Sequence, residues 1–228
     1  MFITPLKDSL GDSIHCLTLT KEFFDTNSID SKKEKLISEF LTYKDLPIQY
    51  MDQVHGNRVQ SISSVSSPII ETDALVSASD NLILGILSAD CMPIAISKKD
   101  GSVFAIIHAG WKGLISGVIQ TCLSSFIKDE IKLTAWIGPS ISGGFYEVGS
   151  ELYDAFMKSD EHSQSNFKRV NPKKWLFDLN GEAKRILKNH NVEVHVSNQC
   201  TYTNHDLFYS YRRDQTENRL LTMIWRKV

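Results

Sequence analysis

Short apolar runs bounded by turn-forming residues alternate along the chain with stretches whose apolar positions follow a helical repeat. The runs are typical of strands, and apolar spacings of three and four residues are typical of helices. These patterns predict strands at residues 48–51, 59–62, 74–77, 81–88, 94–97, 103–107, 133–137, 192–197 and 220–225. They predict helices at residues 28–43, 114–127, 150–157 and 179–189. The polar stretch 158–174 is predicted to be a loop with a mobile portion.

The order of these elements indicates the fold class. Strands and helices are mixed along the whole chain, with no internal repeat, low-complexity tract or break in composition. A chain of 228 residues can bury a substantial core in one large domain. We therefore predict an α/β or α+β fold formed by a single domain spanning residues 1–228, without a prediction of strand order.

Three short segments place reactive side chains beside predicted strands. They are Gln-Val-His-Gly around His55, Ala-Asp-Cys-Met-Pro around Cys91, and His-Ala-Gly-Trp-Lys-Gly starting at His108. Each contains a glycine or proline that ends regular structure, so the three side chains can project into a cleft at one sheet edge. Two imidazoles and one thiolate suit zinc with an open fourth position. A Cys–His nucleophile pair that needs no metal is the competing interpretation.

Charged residues near these segments are candidates for proton transfer or substrate contact. Asp90 precedes Cys91. It is predicted either to accept a hydrogen bond from the ring N–H of a metal-coordinating histidine or to cap a turn. Lys112 lies at the start of a predicted helix, where a cation is better tolerated if an anion binds nearby. Arg58 follows the His55 segment closely and is a candidate for holding a phosphate or carboxylate.

Two consecutive arginines, Arg212 and Arg213, follow an aromatic cluster near the end of the chain. In strand geometry their side chains face opposite ways, so at most one is expected to enter a pocket. The other is expected to be solvated or paired with Asp214. Arg212 is therefore a further candidate for substrate contact.

Charge and composition exclude several classes of partner. The net charge of −2 offers no overall attraction for nucleic acid or an anionic membrane. No segment approaches the roughly 18 consecutive apolar residues of a membrane-spanning helix, and the first residues lack the pattern of a signal peptide. We expect a cytoplasmic monomer that binds small molecules and keeps its four cysteines as thiols.

Further motifs extend the pattern over nearly the whole chain. They are Thr72-Asp73-Ala74-Leu75, Gly138-Pro139, Tyr146-Glu147-Val148-Gly149, Cys200-Thr201 and Ser210-Tyr211-Arg212-Arg213-Asp214. With these motifs the chain resembles the YfiH-like family, whose members are often labelled laccase-domain or polyphenol oxidase proteins. The resemblance implies a compact fold of layered mixed β-sheets flanked by helices, and a zinc site formed by His55, Cys91 and His108. It also implies phosphorolysis of adenosine, inosine, guanosine or methylthioadenosine, and deamination of adenosine.

Two stretches depart from the family pattern. Gly143-Gly144-Phe145 stands where relatives usually have a cysteine-containing stretch, so no role for a thiol is carried over there. Glu217-Asn218-Arg219 replaces the more usual Thr-Gly-Arg near the end of the chain, which affects only a loop. The three expected metal ligands are all present.

The chemistry of the candidates is compatible with purine nucleosides. Zinc in such a set can lower the pKa of a bound water towards about 7 for attack on the purine carbon that bears the amino group. Asp90 is the nearest candidate for moving protons. For phosphorolysis, the candidates that would hold phosphate are Arg58, Lys112, Arg212 and the backbone N–H groups after Gly110.

Three other functions remain open from the sequence. A multicopper centre needs many histidines, and the chain has seven, of which only two fall in the constellation, so a copper polyphenol oxidase is disfavoured. If Cys91 is a nucleophile and His108 its base, the protein is a hydrolase or amidase that edits a cell-wall (peptidoglycan) precursor. A zinc-stabilised binding module without turnover is the third alternative.

Overall fold

The computed structural model describes residues 2–26, 46–67, 70–126 and 130–226. The strands are β1 (Phe2–Ile3), β2 (Ile14–Leu19), β3 (Ile48–Gln49), β4 (Met51–Asp52), β5 (Val59–Ser61), β6 (Ile70–Glu71), β7 (Ala74–Ser77), β8 (Ile83–Ser88), β9 (Met92–Lys98), β10 (Phe104–Ala109), β11 (Leu133–Ile137), β12 (Glu147–Gly149), β13 (Phe167–Asn171), β14 (Lys174–Phe177), β15 (Glu193–Val196) and β16 (Leu220–Arg226). The α-helices are α1 (Lys21–Thr26), α2 (Trp111–Ile115), α3 (Val118–Ser124), α4 (Ser150–Ser159), α5 (Leu179–Asn189) and α6 (Tyr211–Asp214). A 3₁₀ helix spans Glu161–Asn166.

Two large mixed sheets organise the fold. The six-stranded sheet has the order β15-β11-β9-β10-β7-β5, with parallel pairs at its two edges and antiparallel pairs between them. The five-stranded sheet has the order β1-β2-β16-β8-β3, in which β3 and β8 are parallel. A three-stranded sheet, β12-β14-β13, and the pair β4-β6 complete the strands. This arrangement confirms the predicted mixture of layered sheets and helices.

Strand β10 shows how the layers are stacked. Phe104 and Ile106 point into an apolar layer that also contains Leu84 and Ile86 of the five-stranded sheet. Because successive strand residues point to opposite faces, the next residue of β10, Ile107, packs on the other side, with residues of α3 and α5. β10 is therefore covered on both faces, which explains why its sequence is a continuous apolar run rather than an alternating one.

With one exception, the structure confirms the predicted strands with small shifts at their ends. Residues 48–51, predicted as one strand, instead contribute to β3 and β4, which belong to different sheets. The chain therefore changes sheets just before the segment that contains His55.

The prediction of a loop at residues 158–174 is wrong. The 3₁₀ helix and the strands β13 and β14 occupy this region and the residues just after it. The rings of Phe167 and Phe177 stack at 4.3 Å across the two strands and anchor them on the core. The remaining residues of β13 are exposed, so its polar sequence reflects a solvent-facing strand rather than a loop.

The helix predicted at residues 114–127 starts earlier than expected and is broken. Helix α2 begins at Trp111, and α3 begins again at Val118 after Gly117, whose φ of +82° is left-handed. Glycine adopts this conformation without steric cost, and a continuous helix cannot contain it. The helices predicted at residues 150–157 and 179–189 are confirmed as α4 and α5. The helix predicted at residues 28–43 lies outside the described residues, among which no helix is long and apolar enough to cross a membrane.

Candidate functional site

Neighbouring strands bring the three reactive segments to one edge of the six-stranded sheet. β9 and β10 are antiparallel, so Cys91, directly before β9, lies beside the end of β10 that carries His108. β7 pairs antiparallel with β10 on its other side, and β5 pairs parallel with β7. Both strands therefore begin at the edge where β10 ends. The turn that carries His55 precedes β5. The predicted convergence at a sheet edge is therefore confirmed.

His55, Cys91 and His108 direct their donor atoms towards a common point. The three atoms all lie within 4.8 Å of one another. Sγ of Cys91 is 3.9 Å from Nε2 of His55, and the two imidazole rings meet edge to face with centroids 4.7 Å apart. Zinc bonds of about 2.1 Å to nitrogen and about 2.3 Å to sulfur hold tetrahedral ligands about 3.5 Å apart. Small side-chain rotations would bring this set to that spacing, so the residues fit one metal ion.

The backbone around the donor set is in unusual conformations. His55 has φ +60° and Asp90 has φ +85°, a region that residues other than glycine rarely occupy. Such conformations cost about 1–3 kcal/mol and cluster at functional sites. Gly110 supplies the space that the donors need, because a Cβ atom there would lie 2.9 Å from Sγ of Cys91.

A buried carboxylate, Asp73, ties the two histidine segments together. Its Oδ1 accepts hydrogen bonds from Nδ1 of His108 at 2.9 Å and from the backbone N–H of His55 at 3.0 Å. Its Oδ2 accepts from the backbone N–H of Gly56 at 2.6 Å. Because an ionised carboxylate only accepts, Nδ1 of His108 carries a proton, and Nε2 is the ring nitrogen available to a metal.

Asp90 makes contacts other than the predicted one. Its Oδ1 accepts from Oγ1 of Thr201 at 2.6 Å, and its Oδ2 accepts from Oγ of Ser210 at 3.0 Å and from the backbone N–H of Arg212 at 2.7 Å. Of the two alternatives predicted for Asp90, acceptance from a ring N–H of the donor set does not match these contacts, since Asp73 makes that contact with His108. The left-handed backbone at Asp90, where the chain passes between the two large sheets, turns its carboxylate towards the C-terminal segment.

The side chain of Gln53 fixes the chain just before the His55 turn. Its Nε2 donates to the carbonyl oxygen of Leu87 at 2.7 Å, and its Oε1 accepts from the backbone N–H of Leu87 at 2.8 Å. A carboxamide with one donor and one acceptor thus pairs with β8 as a neighbouring strand would. This contact gives the glutamine of the Gln-Val-His-Gly segment a structural role.

The donor set is strongly coupled electrostatically. Burial alone would raise the pKa of the Cys91 thiol, but hydrogen bonds and positive charge from His108 and His55 lower that pKa to about 6. Burial alone would lower the pKa of His108, but its hydrogen bonds to Asp73 and Cys91 raise that pKa to about 9. Burial opposes ionisation of Asp73 as well, yet its hydrogen bonds keep the pKa of this carboxyl below its ordinary value. At neutral pH and without a metal, Cys91 is therefore a thiolate, the form that binds metals, and His108 is a cation whose Nε2 proton a metal would displace.

Cys91 is expected to react with iodoacetamide at low pH after treatment of the protein with a chelator. Because the thiolate is the reactive form, the alkylation rate should reach half its maximum near pH 6 instead of near pH 9. Mass spectrometry of the Cys91 peptide across a pH series measures this midpoint. The variant His108→Ala should shift the midpoint upward because it removes a proton donor to the sulfur. A wild-type midpoint near the ordinary thiol value would contradict the assigned charge state.

The donor set opens into a cavity of about 730 Å³. Its wall combines aromatic rings and guanidinium groups with the side chains of the His₂Cys set. The aromatic and basic residues of the wall are Trp111, Tyr146, Tyr211, Arg212 and Arg219. A smaller cavity of about 330 Å³ adjoins it and shares Trp111, Tyr146 and Arg212. Such a cavity suits a small planar molecule together with an anionic group.

The structure separates the roles of the two consecutive arginines. Arg212 lines both cavities; its Nη1 donates to the carbonyl oxygen of Glu147 at 2.7 Å, and its guanidinium lies 5.0 Å from the ring centroid of Tyr146. Arg213 pairs with Asp214 at 2.6 Å, as predicted for the arginine that stays out of the pocket. The two residues belong to helix α6 rather than to a strand.

Arg58 and Lys112, the other two predicted substrate contacts, line neither of these cavities. Arg58 is exposed and lies 4.0 Å from Glu71. Lys112 is also exposed, with Nζ 5.6 Å from the ring centroid of Trp111. Both side chains are exposed beside the turns of the His55 and His108 segments, and their contact with a substrate stays a prediction.

Four residues of the site received no role from the sequence: Asp73, Tyr146, Tyr211 and Arg219. The first three lie in the motifs that carry the family resemblance, but reasoning from the sequence assigned them no function. Arg219 lines the cavity, and its guanidinium lies 5.9 Å from the ring centroid of Tyr211. Its place depends on how the chain returns after α6, which local sequence does not indicate.

The fold and the site together define an α+β protein of stacked mixed sheets, with a His₂Cys set in a cleft of aromatic rings and arginines. The chain belongs to the family described as multi-copper polyphenol oxidoreductase laccase, whose sequence profile matches residues 15–227. The resemblance found in the sequence is thereby confirmed.

Curated relatives and solved structures extend this assignment. The purine nucleoside phosphorylase YfiH of Escherichia coli is 31% identical over 224 residues, which cover 97% of this chain and 88% of the relative. The purine nucleoside phosphorylase PA4543 of Pseudomonas aeruginosa is 34% identical over 178 residues, covering 77% and 73% of the two chains. The crystal structure of Neisseria meningitidis protein NMB0706 covers 100% of this chain and 99% of its own, with a TM-score of 0.89 and 25% identity.

Proposed function

We propose that this protein is a zinc-dependent purine nucleoside phosphorylase that also deaminates adenosine. The observation that carries the proposal is one cavity that combines a His₂Cys set, aromatic rings and two arginines. The names of the curated relatives support the same substrate class. Adenosine, inosine, guanosine and methylthioadenosine are the proposed substrates, with inorganic phosphate as co-substrate.

The proposed zinc ligands are His55, Cys91 and His108. Two imidazoles and one thiolate leave a fourth position open, as in catalytic zinc sites. When bound, zinc supplies a Lewis acid that lowers the pKa of water and polarises a substrate oxygen. Asp73 holds the ring of His108 and the backbone of His55, so it keeps both imidazoles aimed at the metal position.

The remaining cavity residues are assigned to the substrates. Phosphorolysis breaks the bond between C1′ of the ribose and the purine nitrogen, and an oxygen of phosphate forms the new bond to C1′. Arg212 and Arg219 line the cavity and would neutralise the phosphate. The rings of Trp111, Tyr146 and Tyr211 offer faces for the purine.

Deamination needs a different second reactant. Water supplies the oxygen that replaces the amino group of adenosine, and ammonia leaves. The reaction requires no phosphate, so the two activities are separable in one assay.

The proposal is tested by incubating zinc-loaded protein with adenosine, with and without phosphate, and measuring inosine, adenine, hypoxanthine and ribose 1-phosphate. When phosphate is present, ribose 1-phosphate should equal the sum of adenine and of the hypoxanthine released from inosine, because inosine is itself a proposed substrate, and inosine should form with or without phosphate. Arg212→Ala should reduce phosphorolysis by about tenfold or more and deamination much less, because only phosphorolysis needs the anion. If none of these products forms with zinc fully loaded, the proposal fails.

The low pKa of Cys91 beside His108 favours one alternative, a thiol hydrolase or amidase acting on a cell-wall precursor. Such an enzyme would act after chelation and be inactivated by alkylation, whereas the proposed enzyme loses activity on chelation.

Copper oxidase chemistry is less favoured. Across the described residues, a single group of three or more metal-binding side chains is close enough to share an ion, and a multicopper centre needs more histidines. A binding module without turnover would yield no product in either assay.

A further inference from the structure

The C-terminal side of the cavity is held by a carboxylate to which the proposed function gives no role. Asp90 is 8% exposed, and its two oxygens accept hydrogen bonds from Thr201, Ser210 and Arg212. The hydroxyl-bearing residues Thr201 and Ser210 are both 0% exposed. Both carboxylate oxygens of Asp90 therefore bond to the C-terminal part of the chain around α6, and neither bonds to the two histidines of the donor set.

These contacts determine where α6 begins. Oγ of Ser210 donates to Asp90 and also accepts from the backbone N–H of Arg213 at 3.2 Å, so it caps the helix. The backbone N–H of Arg212 donates directly to Asp90. A single carboxylate thus fixes both the cap and the first turn of the helix that carries Arg212.

The two arginines of α6 differ in how many of their donors are used. Nε, Nη1 and Nη2 of Arg213 all donate within the protein, to Asp214 and to the carbonyl oxygens of Thr201, Tyr202 and Phe208. The guanidinium of Arg212 makes one hydrogen bond among the described residues, to the carbonyl oxygen of Glu147. Arg213 therefore anchors the helix, and Arg212 keeps donors for a ligand in the cavity.

We propose that Asp90 is a positioning residue for anion binding: it holds α6 so that Arg212 meets inorganic phosphate, and it carries no proton in the reaction. The inference rests on the proposed function in taking phosphate as the anion. The two carboxylates then position different parts of the site. Asp73 positions the metal-binding histidines, and Asp90 positions the anion-binding arginine.

Two substitutions distinguish positioning from proton transfer. Asp90→Asn keeps an oxygen for the N–H of Arg212 and places its NH₂ on the hydroxyl of Thr201, which can accept. Asparagine also tolerates the left-handed backbone at this position. Asp90→Ala removes both side-chain acceptors. We therefore expect Asp90→Ala to weaken phosphate binding by roughly 10- to 100-fold, as Arg212→Ala does, and Asp90→Asn to restore the affinity to within about threefold of wild type.

The measurement is isothermal titration of the zinc-loaded protein with inorganic phosphate, with zinc content and turnover recorded for each variant. The double variant Asp90→Ala with Arg212→Ala should bind phosphate no more weakly than either single variant, because both act through one guanidinium. Asp206→Asn is the matched control: its exposed carboxylate pairs with His205 shortly before α6, and the affinity should stay within about twofold.

Several results would overturn the inference. These are a folded Asp90→Ala variant with wild-type phosphate affinity, additive losses in the double variant, or a wild-type protein that binds no phosphate. A hundredfold fall in kcat for Asp90→Asn would assign Asp90 to proton transfer, and this outcome decides the question even if Asp90→Ala does not fold. If the wild type binds phosphate and the variants behave as expected but no nucleoside is consumed, the proposed function fails and the positioning role stands.

Discussion

Replacing Cys91 with serine is expected to remove bound zinc and nucleoside turnover together. Serine is isosteric with cysteine, but its hydroxyl does not ionise at neutral pH, whereas the pKa of the Cys91 thiol is about 6. The variant therefore loses the anionic ligand and keeps two imidazoles. Since changes beside metal ligands already cost about 10- to 100-fold in affinity, loss of the thiolate should cost at least about 100-fold. Zinc per protein chain, measured by elemental mass spectrometry after dialysis, should fall to near zero, and phosphorolysis should fall in parallel.

Cys200→Ser provides the matched control. Cys200 is also a partly exposed free thiol, but its sulfur accepts hydrogen bonds from Ser142 and lies outside the donor set. This variant should retain zinc and turnover close to the wild-type values. If Cys91→Ser kept a full equivalent of zinc while losing activity, the thiol would be a nucleophile rather than a ligand, and the hydrolase interpretation would gain support.

Much of the fold could be predicted because its strands are local apolar runs. β7 and β11 coincide with the predicted strands, and helices α4 and α5 were found from their amphipathic spacing. Sheet membership could not be predicted in the same way. β8 and β9 are close in the chain, yet they belong to different sheets, and only packing between distant strands decides that. The exposed strand β13 was missed because most of its outward residues are polar.

The site was predictable to the extent that its residues have distinctive chemistry. His55, Cys91 and His108 stand out as donors beside backbone breakers, and the structure brings them together. Asp73 and Asp90 are equally ordinary in sequence. Their different roles follow from long-range pairing, which places Asp73 beside His108 and turns Asp90 towards the C-terminal segment.

Asp73→Asn is expected to lower zinc affinity by about 10- to 100-fold, the range typical of residues that orient a metal-binding histidine. Three N–H groups, on His108, His55 and Gly56, point at the two oxygens of Asp73. In either orientation the amide of asparagine brings its NH₂ against at least one of these donors. The clash leaves a buried N–H unpaired, which costs about 1–3 kcal/mol, and releases the ring of His108 or the turn at His55.

The acid sensitivity of the protein provides a second signature of the same carboxylate. Because hydrogen bonds lower the pKa of Asp73 in the folded state, the stabilisation is present above its ordinary pKa of 3.8 and is lost as the pH falls through the lowered value. Urea unfolding of the chelated protein at neutral and acidic pH should show that acidification lowers the free energy of unfolding less for Asp73→Asn than for wild type. A competition titration should show the weaker zinc binding of the same variant. Glu71→Gln, an exposed neighbour that lies 4.0 Å from Arg58, should behave as wild type in both measurements. Wild-type zinc affinity in Asp73→Asn would show that the histidines hold their positions without this carboxylate.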